Sequence, residues 1–224
     1  MIRQTLLLFT AFILSGCLNS KAAGPFPPIP DLPYRTWHVG LLAPDYMEAW
    51  VEQVDLTDVN DLMYEDVFGG VASTSTPNNN AGEAHGWPEN PGPGSNFPMT
   101  GIGLPEKITV RWQSLAEPKA YRASFDVSAA TRAEMVRPRQ AYCAWRDEYE
   151  TQYRDTIAIG VAPGGVVRAW LLGPCLDSIE IAHVQGEINP VGPYNGESNG
   201  EFYRPPSPNA QHYIDTHGIP FGSW

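Results

Sequence analysis

The chain has 224 residues, with 14 Lys and Arg against 25 Asp and Glu, and a formal charge of −11 at pH 7. That length suits one domain with a real core, and hydrophobic residues at 42% with aromatics at 11% argue against a disordered chain. Charged residues at 17%, with 22 Pro and 21 Gly, argue against a helical bundle, and the negative balance argues against nucleic acid as a partner.

In chain order, Arg3 and the apolar run from Leu6 to Leu14 read as an export signal. The run is too short to span a bilayer, which takes about 20 apolar residues. Leu14-Ser15-Gly16-Cys17 resembles the bacterial lipobox, whose Cys becomes the acylated N-terminus after cleavage. An ordinary signal peptide that happens to carry a Cys is the alternative. Leu18 stands where an Asp commonly retains such lipoproteins in the inner membrane, so the resemblance implies the outer membrane. The domain then faces the periplasm or the cell surface and touches the membrane through the Cys17 anchor alone. Residues 24–33 carry five prolines, either a stiff spacer or a lead-in lying along the fold. The reading divides the chain into a signal peptide (1–16), a lipidated N-terminus with a Pro-rich spacer (17–34), and a single β-rich domain (35–224).

With Cys17 lipidated, Cys143 and Cys175 remain, and export places them where disulfides form. A bond between them is expected and is worth roughly 3–4 kcal/mol in the chain-entropy model. Two buried thiols, or a metal site lacking its other ligands, are the alternatives.

Trp37, Val39 and Leu41 alternate within residues 35–42 and predict a strand; a weaker one runs through residues 50–54. Thr57 can cap a helix through Val67, with Val59, Leu62, Met63 and Val67 as its apolar stripe. In residues 69–105, Gly, Pro and Asn fill 19 of 37 positions, which predicts a long loop. Trp87, Phe97 and Met99 inside it either pin it to the core or serve as contacts. Ile108, Val110 and Trp112 make a strand, and Tyr121, Ala123, Phe125 and Val127 its hairpin partner. Ser128 caps a helix to about Val136. Residues 157–161, 166–172 and 178–181 predict further strands around a Pro163-Gly164-Gly165 turn, and a short helix is expected at 209–216. The fold class is sheet-dominated α+β, an antiparallel sheet or two-sheet sandwich with short helices and a long Gly/Pro/Asn-rich loop.

Several of these runs look familiar together: Trp37–Gly40, Ile108–Ser114, Lys119–Ala123, and the Ile157–Leu171 hairpin with its Gly-x-Ala-Pro-Gly-Gly turn. With the lipobox, they resemble the bacterial lipoprotein family called domain of unknown function 2931, over most of the mature chain. No catalytic residue carries over from that family. The resemblance implies an immunity partner of a type VI secretion effector, often of the lipase kind. Mechanically, the shared motifs are scaffold: a turn with φ > 0 positions and tryptophans that fill a core.

Chemistry-bearing patterns are weak. Gly196-Glu197-Ser198-Asn199-Gly200 matches the nucleophile-elbow pattern, with Asp215 and His217 following. No apolar strand precedes it and no helix follows, so a simple turn is the better reading. The five histidines are scattered, Asp58-Val59-Asn60-Asp61 lacks the glycine and terminal Glu of a calcium loop, and no phosphate-binding glycine loop is present. No catalytic residue, metal or cofactor is assigned.

The charge is unevenly placed. Residues 36–106 hold eleven acids and no Lys or Arg, while the rest of the chain from Cys17 holds 13 basic and 14 acidic residues. On the expected helix, Asp58, Asp61 and Glu65 share a face. This acidic surface is either a solvated face that aids solubility or a docking site for a partner with a basic contact surface. The candidate partner-binding residues are Glu52, Asp55, Asp58, Asp61, Glu65, Asp66, Trp87 and Phe97. The expected function is a non-enzymatic immunity lipoprotein that occludes an envelope-acting toxin; the alternative is an envelope scaffold or ligand-binding lipoprotein.

Overall fold

Period-two alternation builds most of the strands in the computed structural model, which describes residues 29–224. In chain order they are β1 (Thr36–Leu42), β2 (Ala49–Asp58), β3 (Met63–Val71), β4 (Ser95–Thr100), β5 (Pro105–Ser114) and β6 (Lys119–Asp126). Helix α1 (Ala129–Met135) is followed by β7 (Arg139–Cys143), β8 (Glu148–Gln152), β9 (Thr156–Val161), β10 (Val166–Gly173), β11 (Leu176–Gln185) and the two-residue β12 (Glu187–Ile188). Helix α2 (Pro208–His217) closes the chain. Ser128 and Ser207 cap the two helices through their hydroxyls, and Gly218 ends the second at φ 75°. The lipobox, Cys17 and the first half of the spacer lie outside the described residues.

Two five-stranded sheets form, in the orders β11-β10-β9-β1-β4 (sheet 1) and β12-β6-β5-β2-β3 (sheet 2). Strand neighbours run antiparallel except β1 and β9, which pair in parallel with Val39 opposite Ile157. The fold is therefore a mixed, sheet-dominated α+β sandwich with two short helices. Trp37, Val39, Leu41, Ile157 and Ile159 of sheet 1 join Val51, Val54, Ile108, Val110 and Trp112 of sheet 2 in one buried cluster. Each such side chain contributes about 1.5–3 kcal/mol on burial, so this interface dominates the stability. A register shift between Val51 and Gln53 marks a β-bulge. It lets Val51 and Val54 both face the core although they are three apart, and it turns Glu52 and Gln53 outward.

The helix expected at 57–67 is absent, and a β2–β3 hairpin takes its place. The turn chemistry of Asp58-Val59-Asn60-Asp61 overrides the helical spacing. Asp58 is buried, and its Oδ1 accepts the Asn60 N–H at 2.8 Å and the Leu62 N–H at 3.1 Å. Asp61 adopts φ 59°, which aspartate tolerates and a helix forbids. Val59 and Met63, two members of the proposed apolar stripe, are exposed. Asp58, Asp61 and Glu65 therefore share no helical face.

The segment 69–105 is also shorter as a loop than its composition suggests. Strand β3 extends into it, and β4 pairs along β1 with Phe97 opposite Val39. The remaining stretch, 72–94, crosses the outer face of sheet 1. There Trp87 meets Trp170 edge-on, ring centroids 5.3 Å apart, and lies over Gly160, where any Cβ would sit 2.7 Å from the indole. This explains why every residue of β9 is buried.

Asp58→Ala removes the one acceptor of two N–H groups in a buried turn. It should cost about 2–3 kcal/mol, read as a lower urea midpoint at unchanged slope, with Asp58→Asn recovering part of the loss.

Candidate functional site

Most of the acid-only segment is occupied in holding the chain's own backbone. The buried Glu48 accepts the Arg204 guanidinium at 2.7 Å and the Ser207 N–H at 2.8 Å. Glu52 accepts the Tyr194 N–H at 2.7 Å and the Gln113 side chain at 3.0 Å. Gln113 in turn accepts the Tyr203 N–H at 2.7 Å, and the Tyr203 ring stacks on Trp50 with centroids 3.6 Å apart. Residues 194–207 are thereby clamped over the outer face of sheet 2. Across the molecule, Asp45 accepts the Ser75 and Glu83 N–H groups and pins the 72–94 loop. Asp55 accepts the Asp66 N–H at 2.8 Å, and Glu106 pairs with Arg132 at 3.1 Å.

The candidate partner residues consequently separate. Glu52, Asp55 and Asp58 are engaged as internal acceptors, and Trp87 packs on sheet 1. Phe97 closes the seam between the sheets against Phe68, ring centroids 5.4 Å apart, with part of its ring exposed. Asp61, Glu65 and Asp66 are exposed, and among the described residues no hydrogen bond or ion pair engages their carboxylates. The elbow pattern also comes apart. Ser198 donates to the Pro193 carbonyl at 3.3 Å, Asp215 accepts Gln211 at 2.7 Å, and His217 meets Asn80 at 3.4 Å, so each member is engaged elsewhere.

Sequence reasoning missed the most conspicuous surface feature, the β7–β8 hairpin. Cys143 is joined to Cys175 in the β10–β11 turn, so the expected disulfide is present. The bond ties the hairpin to the end of sheet 1. At its base, Glu134 bridges Arg139 at 2.6 Å and Arg154 at 2.8 Å, and Tyr153 packs against Tyr34. Its tip is aromatic. Tyr142 and Tyr149 stand opposite each other with rings 5.4 Å apart, and the Arg146 guanidinium lies 4.3 Å from the Trp145 ring centre. Trp145 is 69% and Tyr149 74% exposed. A two-stranded hairpin is marginal alone, and the disulfide supplies what its core lacks. The signal was available as two short polar-aromatic runs flanking Trp145-Arg146-Asp147, but nothing apolar marked a buried face.

Two clefts open on sheet 1. The larger, about 520 Å³, lies between Leu42, Trp87 and the polar side chains of Asp45, Glu83 and His85. The other, about 400 Å³, contains His38 and Asp155. No cluster of three or more metal-ligating side chains occurs among the described residues, and no described helix is long and apolar enough to cross a membrane.

Residues 20–222 match the model of a family described as protein of unknown function, DUF2931. The chain belongs to that family. No curated protein matches it, and no solved structure does. The DUF2931 match spans both sheets, the disulfide hairpin and α2, so the whole sandwich is one family unit.

Glu48 gives this DUF2931 domain a pH-sensitive clamp. Burial pushes its carboxyl up, but the bonds from Ser207 and the Arg204 charge outweigh burial and hold it below the usual range. A depressed carboxyl stabilises the fold fully above its unfolded value, about 4.3, and the contribution is lost as pH falls through the folded value. Glu48→Gln should therefore cost about 1–2 kcal/mol at pH 7 and progressively less as pH falls below the unfolded carboxyl value, measured by denaturant titration across that range.

Proposed function

We propose that this chain is a non-enzymatic, lipid-anchored envelope protein that works by binding another protein. In this reading it is an immunity protein that occludes a toxic effector acting in the envelope, of the type VI secretion lipase or phospholipase class. The observation that carries the reading is the hairpin tip, where Tyr142, Trp145 and Tyr149 are exposed on a scaffold braced by a disulfide. Tyr, Trp and Arg dominate the residues that carry protein–protein binding energy. A braced hairpin also loses little conformational freedom when a partner closes on it. The disulfide suits an exported protein, and the lipobox at Leu14–Cys17 supplies the anchor.

From the sequence, the acidic residues of 45–66 and the 69–105 loop with Trp87 and Phe97 are the contact candidates; in this reading the contact moves to the hairpin, with Asp61, Glu65 and Asp66 as a smaller acidic patch. Those three carboxylates favour a partner with a basic surface and act mainly on the rate of encounter.

The test first asks whether the gene beside this one encodes a lipase-like protein and then titrates that purified product against the full lipidated chain; a neighbour of unrelated chemistry counts against the reading. Trp145→Ala with Tyr149→Ala should weaken binding at least about thirtyfold and abolish protection of cells, with an unchanged melting temperature. Full protection by that variant would remove the hairpin from the interface, and a wild-type chain that neither binds nor inhibits the lipase would end the immunity reading.

Charge removal probes the acidic patch separately. Asp61 and Asp66 sit at positive φ, so Asn is the compatible replacement there and Lys is placed at 65. Asp61→Asn, Glu65→Lys, Asp66→Asn together should slow association about fivefold at low salt and flatten its salt dependence in stopped-flow measurements.

A further inference from the structure

The smaller cleft on sheet 1 holds a half-buried carboxylate, Asp155, that is bonded to no Lys or Arg among the described residues. Its floor is the outer face of β1 at His38 together with Asp155 and Thr156 at the start of β9. One wall is the proline strap around Pro91 and Pro93; the other is the β10–β11 turn, held by the Cys175 disulfide. Strap and floor touch at Gly40, where a Cβ would lie 1.7 Å from the Pro93 carbonyl oxygen. Both walls are thus braced, and the cleft is preformed.

Asp155 is an exception among the acids. Every other buried or half-buried carboxylate among the described residues has a compensating partner. Asp45, Glu52, Asp55 and Asp58 each accept another residue's backbone N–H. Glu48, Glu106, Glu117, Glu134 and Glu150 each meet a Lys or Arg. Half-buried Asp155 has the Thr156 hydroxyl, at 3.1 Å, its own backbone N–H and the neighbouring His38 ring, and among the described residues neither a Lys or Arg nor another residue's backbone N–H reaches it. The adjacent Arg154 is turned away, bonded to Glu134 and to the Asp177 carbonyl. Among the described residues no Lys or Arg lines the cleft. Burial raises the Asp155 carboxyl, as expected for a negative charge short of partners.

We propose that this cleft binds a small organic cation, an ammonium or guanidinium group on a short alkyl chain, with Asp155 as its counter-ion. A half-buried carboxylate gains most from a donor that brings its own positive charge. Leu172, Leu176 and the prolines offer apolar walls for the alkyl chain, and His38 and Asn96 offer further polar contacts. A volume of about 400 Å³ lies within the range of small-molecule sites. The site is independent of the protein-binding hairpin tip, and neither reading requires the other.

The test titrates the full chain, with its disulfide formed, with agmatine, with n-butylammonium and with neutral n-butanol. Calorimetry and amide NMR shifts follow binding at pH 7. The two cations should bind saturably with the largest shifts at residues 38, 96 and 155, and n-butanol should not bind. Asp155→Asn should weaken agmatine at least about tenfold while the melting temperature holds. Should that variant fold poorly, Asn96→Phe, at an exposed position of β4, fills the cleft with the carboxylate intact and should also abolish binding. The Trp145→Ala, Tyr149→Ala chain should bind agmatine as wild type does. Absence of saturable binding up to about 10 mM, or equal affinity in Asp155→Asn, would overturn the proposal.

Discussion

A carboxylate that accepts a backbone N–H can hold an irregular chain where no strand neighbour is available. This domain relies on that bond at both of its outer faces. Asp45 holds the 72–94 segment on sheet 1, and Glu48 and Glu52, with Gln113, hold the 194–207 segment on sheet 2. Without those acceptors, two long stretches rich in Gly, Pro and Asn would have too few ladder bonds to stay in place. With them, Trp87 is delivered onto Gly160 and Tyr203 onto Trp50, and the sheets are covered on their outer sides.

The same bonds give the charge a physical reason. A run of eleven acids without a Lys or Arg is costly if the charges only repel one another. Here six of them, Asp45, Glu48, Glu52, Asp55, Asp58 and Glu83, accept backbone N–H groups, a charge-assisted bond that stabilises a carboxylate without requiring a Lys or Arg. What remains on the surface near the β2–β3 turn is a short patch rather than a continuous field. Asp155, on the opposite sheet and outside that segment, stands apart because nothing comparable reaches it.

Legibility in the sequence followed the source of each element's stability. Strands β1, β5, β6, β9 and β10 were readable because Trp37, Val39, Ile108, Val110, Phe125 and Ile159 alternate into one core. The first helix was readable from its Ser128 cap; the second, expected at 209–216, forms at Pro208–His217 behind a Ser207 cap that only the structure shows. The β2–β3 hairpin was misread because Val59, Leu62, Met63 and Val67 fall at helical spacing by chance, while the deciding bonds come from Asp58. Strand β4 was hidden by Pro98 and by the Gly/Pro-rich runs on either side of it, and β7–β8 by its exposure: neither buries enough apolar surface to leave a pattern.

By itself the sequence determined the sheet-dominated class, the inward faces of the central strands and the DUF2931 resemblance, and it raised the Cys143–Cys175 bond as an expectation, because alternation, caps and the two cysteines beyond Cys17 are local facts. Only the tertiary structure decided which acids are structural, where the irregular segments lie, that the aromatic hairpin projects, and that Asp155 faces a cleft without a cation. Those properties depend on which distant backbone N–H or guanidinium reaches a given carboxylate. Glu52 with Tyr194 and Glu48 with Arg204 are separated by 142 and 156 residues, a distance over which sequence spacing carries no information about contact.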